Sequence, residues 1–162
     1  MVKLFFDVCA VGPRAIKTIE SATDLHALDI EVAHLTSYFP ANTPDESWIS
    51  TISEEGWIVI TADRGKHSRV GEKLPELCLD YQITHVLMSK SINQMSNYHR
   101  VAAIIENLDG IILCDEAKKG SRFHLRGTQG KAIATLAQVE VQIPEVSKKQ
   151  RTLDLEIDDD TG

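Results

Sequence analysis

Short apolar runs alternate along the chain with segments whose apolar residues recur at helical spacing. Residues 4–8 form an apolar run that is interrupted only by Asp7, as is typical of a strand buried on both faces. Residues 57–61 form a second run, which ends just before Asp63. Strands that alternate with helices predict an α/β fold, here a three-layer α/β/α sandwich around a mostly parallel central sheet.

The segment that leads into the second apolar run predicts a helix with defined ends. Thr43 is a candidate N-cap, and Pro44 suits the first helical position. Asp45 and Glu46 place carboxylates in the first turn, and Gly56 is expected to close the helix. A helix that runs antiparallel to the strand it feeds brings Asp45 to the carboxyl edge of the sheet.

The remaining elements follow from the same two periodicities. Helical spacing predicts further helices over residues 14–22, 75–81 and 93–108. Apolar and β-rich runs predict further strands over residues 29–39, 85–88 and 111–114. We expect one domain over residues 1–146, with a C-terminal hairpin within 120–144, and a flexible charged tail over 147–162.

Composition narrows the class of protein. A chain of 162 residues with 43% hydrophobic and 25% charged residues is typical of one globular domain. No apolar run reaches the roughly 18 residues that a membrane span needs, so no membrane partner is expected. Three cysteines exclude a closed disulfide framework and indicate a reducing, cytoplasmic location. The net charge of -7 is partly carried by the acidic end and does not decide whether nucleic acid is bound.

Three acidic residues, Asp7, Asp45 and Asp63, fall at predicted strand and helix ends. Ligand sites of open α/β sheets form beyond the carboxyl ends of the strands, so we expect the three carboxylates to converge. Such a cluster suits Mg²⁺ or Mn²⁺ and, with it, phosphodiester hydrolysis. The structural alternative is that Asp45 only interacts favourably with the helix dipole and that Asp63 only caps a turn. Asp7 is harder to explain in this way, because an ionisable side chain in an apolar strand requires a partner.

Three short motifs carry a resemblance to a known family: FFD near the start, PDESWI at a helix start, and GWIVITADRG. Over roughly residues 3–115 the chain resembles PIN-like domains, in particular the compact branch of VapC-like toxin ribonucleases. The resemblance implies a metal-dependent endoribonuclease. It matches Asp7, Asp45 and Asp63 to catalytic metal ligands and gives Thr61 a supporting hydroxyl.

The resemblance leaves the set of acids open. Larger PIN domains carry another acid on a helix after the first strand, and Glu20, Asp24 and Glu31 are the candidates here. Glu46 is a further candidate that could assist or replace Asp45. A site of three acids is either complete in this compact branch or has weak or lost activity, so a non-catalytic PIN-like module that binds RNA or protein is the alternative function.

Two basic segments are candidates for contacts with substrate phosphates. The first follows Asp63 directly and contains Arg64, Lys66, His67 and Arg69, which would bind RNA beside the metal. A solvated basic loop explains it equally well. For the second we favour the solvated-surface explanation; it contains Lys118, Lys119, Arg122, His124 and Arg126.

Other acid-pocket α/β proteins form a third class. Aspartate-nucleophile phosphatases require a second Asp two positions after the first, but Asp7 is followed by Val8 and Cys9. Receiver domains require paired acids at the first strand, which this chain also lacks. The ribonuclease hypothesis adds RNA as partner, a cognate antitoxin protein if the chain is a toxin, and a homodimer as an open alternative.

Overall fold

The computed structural model describes residues 1–25, 27–62, 74–127 and 134–139. One sheet of six strands runs through these ranges in the order β2-β1-β3-β4-β5-β6, and all neighbours are parallel except β5 and β6. The strands are β1 (Val2–Phe6), β2 (Ile30–His34), β3 (Trp57–Thr61), β4 (His85–Met88), β5 (Arg122–Gly127) and β6 (Ala134–Val139).

The described ranges also contain seven α-helices. They are α1 (Pro13–Leu25), α2 (Leu35–Tyr38), α3 (Asp45–Ile52), α4 (Leu74–Asp80), α5 (Lys90–Asn93), α6 (Asn97–Glu106) and α7 (Leu108–Leu113). Short 3-10 turns follow α3 and α7, over Ser53–Glu55 and Cys114–Glu116. None of the helices in the described part of the chain is long and apolar enough to cross a membrane.

Two hydrophobic cores cover the two faces of the sheet. Leu4 and Phe6 of β1 face a core shared with α1, α6 and α7. Phe5, whose side chain points the opposite way, belongs to a second core with Trp48 of α3 and Leu77 of α4. Helices thus cover both faces, which confirms the predicted three-layer α/β/α sandwich with a mostly parallel sheet.

The strand order creates a switch point between β1 and β3. The chain passes from β1 to β2 on one side and then returns to add β3 on the other side of β1. Phe6 is therefore in register with His34 of β2 and with Ile60 of β3. Ligands of open α/β sheets bind beyond the carboxyl ends of the strands at such a point. Asp7 comes directly after β1 at this position.

The predicted strand over residues 111–114 is wrong, because these residues belong to α7 and the turn after it. A short apolar run does not distinguish a strand from a buried helix. The predicted strand over 29–39 ends at His34, whose ring caps α2. The predicted helix over 93–108 begins only at Asn97, since Ser96 is its N-cap.

The start of α3 differs from the prediction by one residue. Pro44 is the N-cap, and the Thr43 hydroxyl donates to the carbonyl of Pro40. Gly56 ends this unit with a positive φ of 76°, as its role as a terminator requires. In the C-terminal part β5 and β6 pair antiparallel, whereas the tail predicted over residues 147–162 lies outside the described residues.

Candidate active site

Asp7 lies at the carboxyl end of β1 and is buried, with 4% of its surface exposed. Its backbone N–H donates to the carbonyl of Ile60 over 3.0 Å, which continues the pairing between β1 and β3. The Thr61 hydroxyl donates to Oδ2 of Asp7 over 2.8 Å. The support that was predicted for Thr61 therefore has a direct geometric basis.

The side chains of Asp7 and Thr61 lie on the α3 and α4 face of the sheet. Successive side chains of a strand point to opposite faces, and Phe5 and Val59, two positions earlier in each case, belong to the core on that face. Asp7 therefore points toward the layer that contains the start of α3, and away from the layer of α1.

Asp45 is the first residue of α3. Its Oδ1 accepts a 3.1 Å hydrogen bond from Nε1 of Trp48. The Trp48 ring stacks on Phe5 with a centroid separation of 5.4 Å and an interplanar angle of 19°. Because Phe5 is two residues before Asp7 on the same face, this stack places α3, which Asp45 begins, on the face toward which Asp7 points.

Cys78 of α4 experiences both carboxylates. Its thiol is fully buried, and this burial raises its pKa. The positive charge of Arg122 lowers the pKa, but by less than burial raises it. Asp45 and Asp7 each raise this pKa further through their negative charges. The two carboxylates therefore act electrostatically on the same buried thiol.

The loop that connects β1 to α1, residues 7–12, is called the site loop below. Its backbone is held by two side chains from other elements. Nη1 of Arg100, in α6, donates to the Ala10 carbonyl over 3.3 Å. Nε2 of His34 donates to the Val11 carbonyl over 2.9 Å. Sequence reasoning missed both anchors, because the hydrogen bonds join residues far apart in the chain.

The sequence did contain one unused sign of the His34 anchor. Histidine is an unusual side chain in an apolar strand, and when buried it requires hydrogen-bond partners. The alternation of β2 toward the α1 core predicts that His34 faces inward. Arg100 gave no such sign, since basic residues are ordinary on an exposed helix.

The other predicted site residues are distributed as follows. Glu46 is exposed in the first turn of α3, next to Asp45. The catalytic candidate Asp63 and the substrate-binding candidates lie outside the described residues: Asp63, Arg64, Lys66, His67 and Arg69.

The candidates for a fourth acid do not join Asp7 and Asp45. Glu20 and Asp24 are exposed in α1, which covers the opposite face of the sheet from the Asp7 side chain. Glu31 lies in β2 and pairs with Lys3 at 3.7 Å. The structure joins Thr61 to Asp7 by a hydrogen bond, and the contacts described for Glu20, Asp24 and Glu31 connect none of them to Asp7 or Asp45.

Two arginines of the second basic segment lie at opposite ends of strand β5. Arg122 begins β5 and Arg126 lies near its other end. Nε of Arg122 donates to Nε2 of the buried His85 over 2.8 Å, and Nη2 donates to the Pro75 carbonyl over 3.3 Å. Arg122 therefore has a structural role within the fold and is not simply part of a solvated surface.

The donor chemistry of the site fits a hard divalent cation. Asp7 and Asp45 supply carboxylate oxygens, the ligands that Mg²⁺ and Mn²⁺ prefer. Among the described residues no group of three or more His, Cys, Asp or Glu side chains could hold a metal ion. Asp63, the third predicted acid, lies outside the described residues.

Comparison with known proteins finds a similarity in the N-terminal part of the chain. A family model described as a PIN like domain matches residues 2–74. Searches of curated proteins and of solved structures found no match. The matched stretch contains β1 to β3 and the start of α4, and thus both sides of the switch point with Asp7, Asp45 and Asp63. Over residues 2–74 the chain is therefore similar to PIN-like domains.

Proposed function

We propose that this protein is a metal-dependent endoribonuclease that hydrolyses RNA phosphodiester bonds. The observation that carries the proposal is the buried Asp7 carboxylate at the switch point, hydrogen-bonded by Thr61 and facing the layer that contains α3. A buried carboxylate is costly unless it is paired or binds a metal. PIN-like domains commonly carry nuclease activity, which supports this choice among the possible uses of an acidic edge.

In this proposal Asp7, Asp45 and Asp63 are the catalytic acids and hold Mg²⁺ or Mn²⁺, with Glu46 as a substitute or assistant of Asp45. The bound ion would supply Lewis-acid chemistry, which activates water and stabilises charge on the phosphate. Thr61 holds one carboxylate oxygen of Asp7, so that the side chain enters the reaction in a fixed orientation. The Trp48 indole does the same for Asp45.

The substrate and partners belong to the same proposal. Arg64, Lys66, His67 and Arg69 follow Asp63 directly and would contact RNA phosphates beside the metal. A toxin of a toxin–antitoxin pair would in addition bind a cognate antitoxin protein and act in the cytoplasm. A homodimer is a further part of this proposal, to be tested by measuring the molecular mass in solution.

The testing experiment measures cleavage of a labelled single-stranded RNA with Mg²⁺ or Mn²⁺. We expect Asp7→Asn and Asp63→Asn to abolish cleavage that is present in the unaltered protein and disappears with a chelator. Asp109→Asn, which changes an exposed acid of α7, is the matched control and should cleave normally. Intact cleavage by both site variants would refute the proposal. RNA binding without cleavage, unaffected by metal and by Asp7→Asn, would instead favour the non-catalytic module.

A further inference from the structure

A buried histidine lies beneath the site loop and uses both of its ring nitrogens. His34 ends β2 and is 1% exposed. Its Nδ1 accepts from the Thr36 backbone N–H over 3.2 Å, and its Nε2 lies 2.9 Å from the Val11 carbonyl oxygen. Because a carbonyl can only accept, Nε2 carries a hydrogen and donates to Val11, while Nδ1 also lies 2.7 Å from the Thr36 hydroxyl oxygen.

The two hydrogen bonds of this ring serve different parts of the fold. The bond at Nδ1 caps α2, a local role between residues two apart that Asn, Asp or Ser would also perform. The bond at Nε2 joins His34 to Val11, 23 positions away in the chain. It needs a donor atom that lies farther out along the side chain than Nδ1 does. A cap alone would not require this donor, so it calls for a separate explanation.

The bond from His34 fixes the site loop at its far end. Near its start, the Ala10 N–H donates to the carbonyl of Asp7 over 3.0 Å, which folds the loop back on itself. Arg100 holds the Ala10 carbonyl from the side of α6. The Val11 carbonyl, held by His34, is the next point along the backbone. The backbone that follows Asp7 is therefore held by Arg100 of α6 at Ala10 and by His34 of β2 at Val11.

We infer that His34 is a positioning residue for Asp7. It holds Val11 and thereby keeps the site loop in the conformation that presents the Asp7 carboxylate to Thr61 and to the edge shared with Asp45. The inference rests on the proposed function in that it takes Asp7 as a metal ligand. Groups that orient metal ligands without touching the ion typically change metal affinity by 10- to 100-fold when they are lost.

Two substitutions separate the two roles of the ring. His34→Asn keeps an acceptor near the position of Nδ1, so α2 retains its cap, but its side chain is too short to reach Val11. His34→Gln places an N–H donor near the position of Nε2, so the bond to Val11 is kept while the cap is weakened. A residue important only for α2 would tolerate the Asn variant better than the Gln variant.

The experiment compares Mn²⁺ affinity of the full chain by titration, together with hydrogen exchange of the Ala10 amide. We expect His34→Asn to raise the Kd for Mn²⁺ by about 10-fold and to accelerate Ala10 exchange. His34→Gln should restore both toward the values of the unaltered protein. Equal Mn²⁺ affinity in the Asn variant and the unaltered protein, or equal losses in both variants, would overturn the inference.

The same experiment distinguishes failure of the inference from failure of the proposed function. If the unaltered protein binds no Mn²⁺, the proposed metal site is wrong and the inference falls with it. If the unaltered protein binds Mn²⁺ and Ala10 exchange is unchanged in His34→Asn, only the role of His34 is wrong. Melting temperatures of the two variants show whether either substitution acts through a general loss of folding.

Discussion

The Thr61 hydroxyl donates a 2.8 Å hydrogen bond to Oδ2 of Asp7, although the two residues are 54 positions apart in the chain. Both are buried, and each lies at the carboxyl end of one of two neighbouring parallel strands. The bond selects one orientation of the carboxylate at the switch point of the sheet. This hydrogen bond is a direct contact between two residues of the candidate site.

Replacing Thr61 by Val should weaken metal binding while the fold is kept. Valine has nearly the shape of threonine but cannot donate to Asp7, and loss of a group that orients a metal ligand costs about 10-fold in affinity. We expect this decrease in Mn²⁺ affinity by titration calorimetry. Thr23→Val removes the buried hydroxyl that donates to the Glu20 carbonyl in α1 and should leave Mn²⁺ affinity unchanged. Comparable affinities in the two variants would contradict the role of Thr61.

Trp48→Phe should affect the site, whereas Trp57→Phe should affect stability alone. Both substitutions keep an aromatic ring near Phe5 and remove an indole N–H. The Trp48 N–H donates to Asp45, whereas the Trp57 N–H donates to Glu55 at the other end of the layer. Loss of a hydrogen bond to a charged group costs about 1.5–3 kcal/mol. We expect both variants to lose stability in urea denaturation but Trp48→Phe alone to bind Mn²⁺ more weakly; the reverse order of affinities would be inconsistent with the site.

The protein should lose stability between pH 6.5 and pH 4 because of His85. Burial, and next the Arg122 cation, lower the pKa of His85 from 6.5 to about 4. In this window the unfolded chain binds a proton on His85 that the folded protein does not, so the free energy of unfolding falls as the pH falls. The full difference is on the order of 3 kcal/mol.

His85→Gln provides the control for this pH dependence, because glutamine can accept from Arg122 but does not titrate. Urea denaturation at pH 6.5 and pH 4 should show a smaller loss of stability in the variant than in the unaltered protein. Equal losses in both would mean that carboxylates, and not His85, determine the acid sensitivity.

Thiol labelling should distinguish Cys9 from the two buried cysteines. Cys9 is exposed in the site loop, whereas Cys78 and Cys114 are buried and burial raises the pKa of each thiol, that of Cys114 to about 11. The thiolate is the reactive form. At pH 8 we expect a disulfide reagent to label one thiol rapidly in the folded protein and none rapidly in Cys9→Ser. Rapid labelling of a second thiol would contradict the described packing of α4 or α7.

Patterns along the chain predicted the layers and the position of Asp7, because they depend on local alternation. Apolar runs bounded by turns identified β1, β3 and β4, and the Pro44–Asp45 start identified α3. They failed at residues 111–114, where the same apolar composition packs as a helix against the sheet. A short run carries too few residues to distinguish the two periodicities.

The anchors of the site were outside the reach of such patterns. The bond from His34 to Val11 and the stack of Trp48 on Phe5 exist because strands and helices distant in sequence meet. Thr61 was identified through the family resemblance and not through its spacing. That Asp45 lies at the same edge as Asp7 is a prediction that follows from an antiparallel arrangement of helix and strand.

The most direct test of the proposed site is Mn²⁺ binding measured by electron paramagnetic resonance on the unaltered chain, Asp7→Asn and Asp109→Asn. Free Mn²⁺ gives the signal, so binding is measured as its loss and does not depend on RNA cleavage. If Asp7 is a metal ligand, Mn²⁺ binding is saturable in the unaltered chain and in Asp109→Asn, and the affinity of Asp7→Asn is at least 10-fold weaker. Equal Mn²⁺ affinity in Asp7→Asn and the unaltered chain would contradict it.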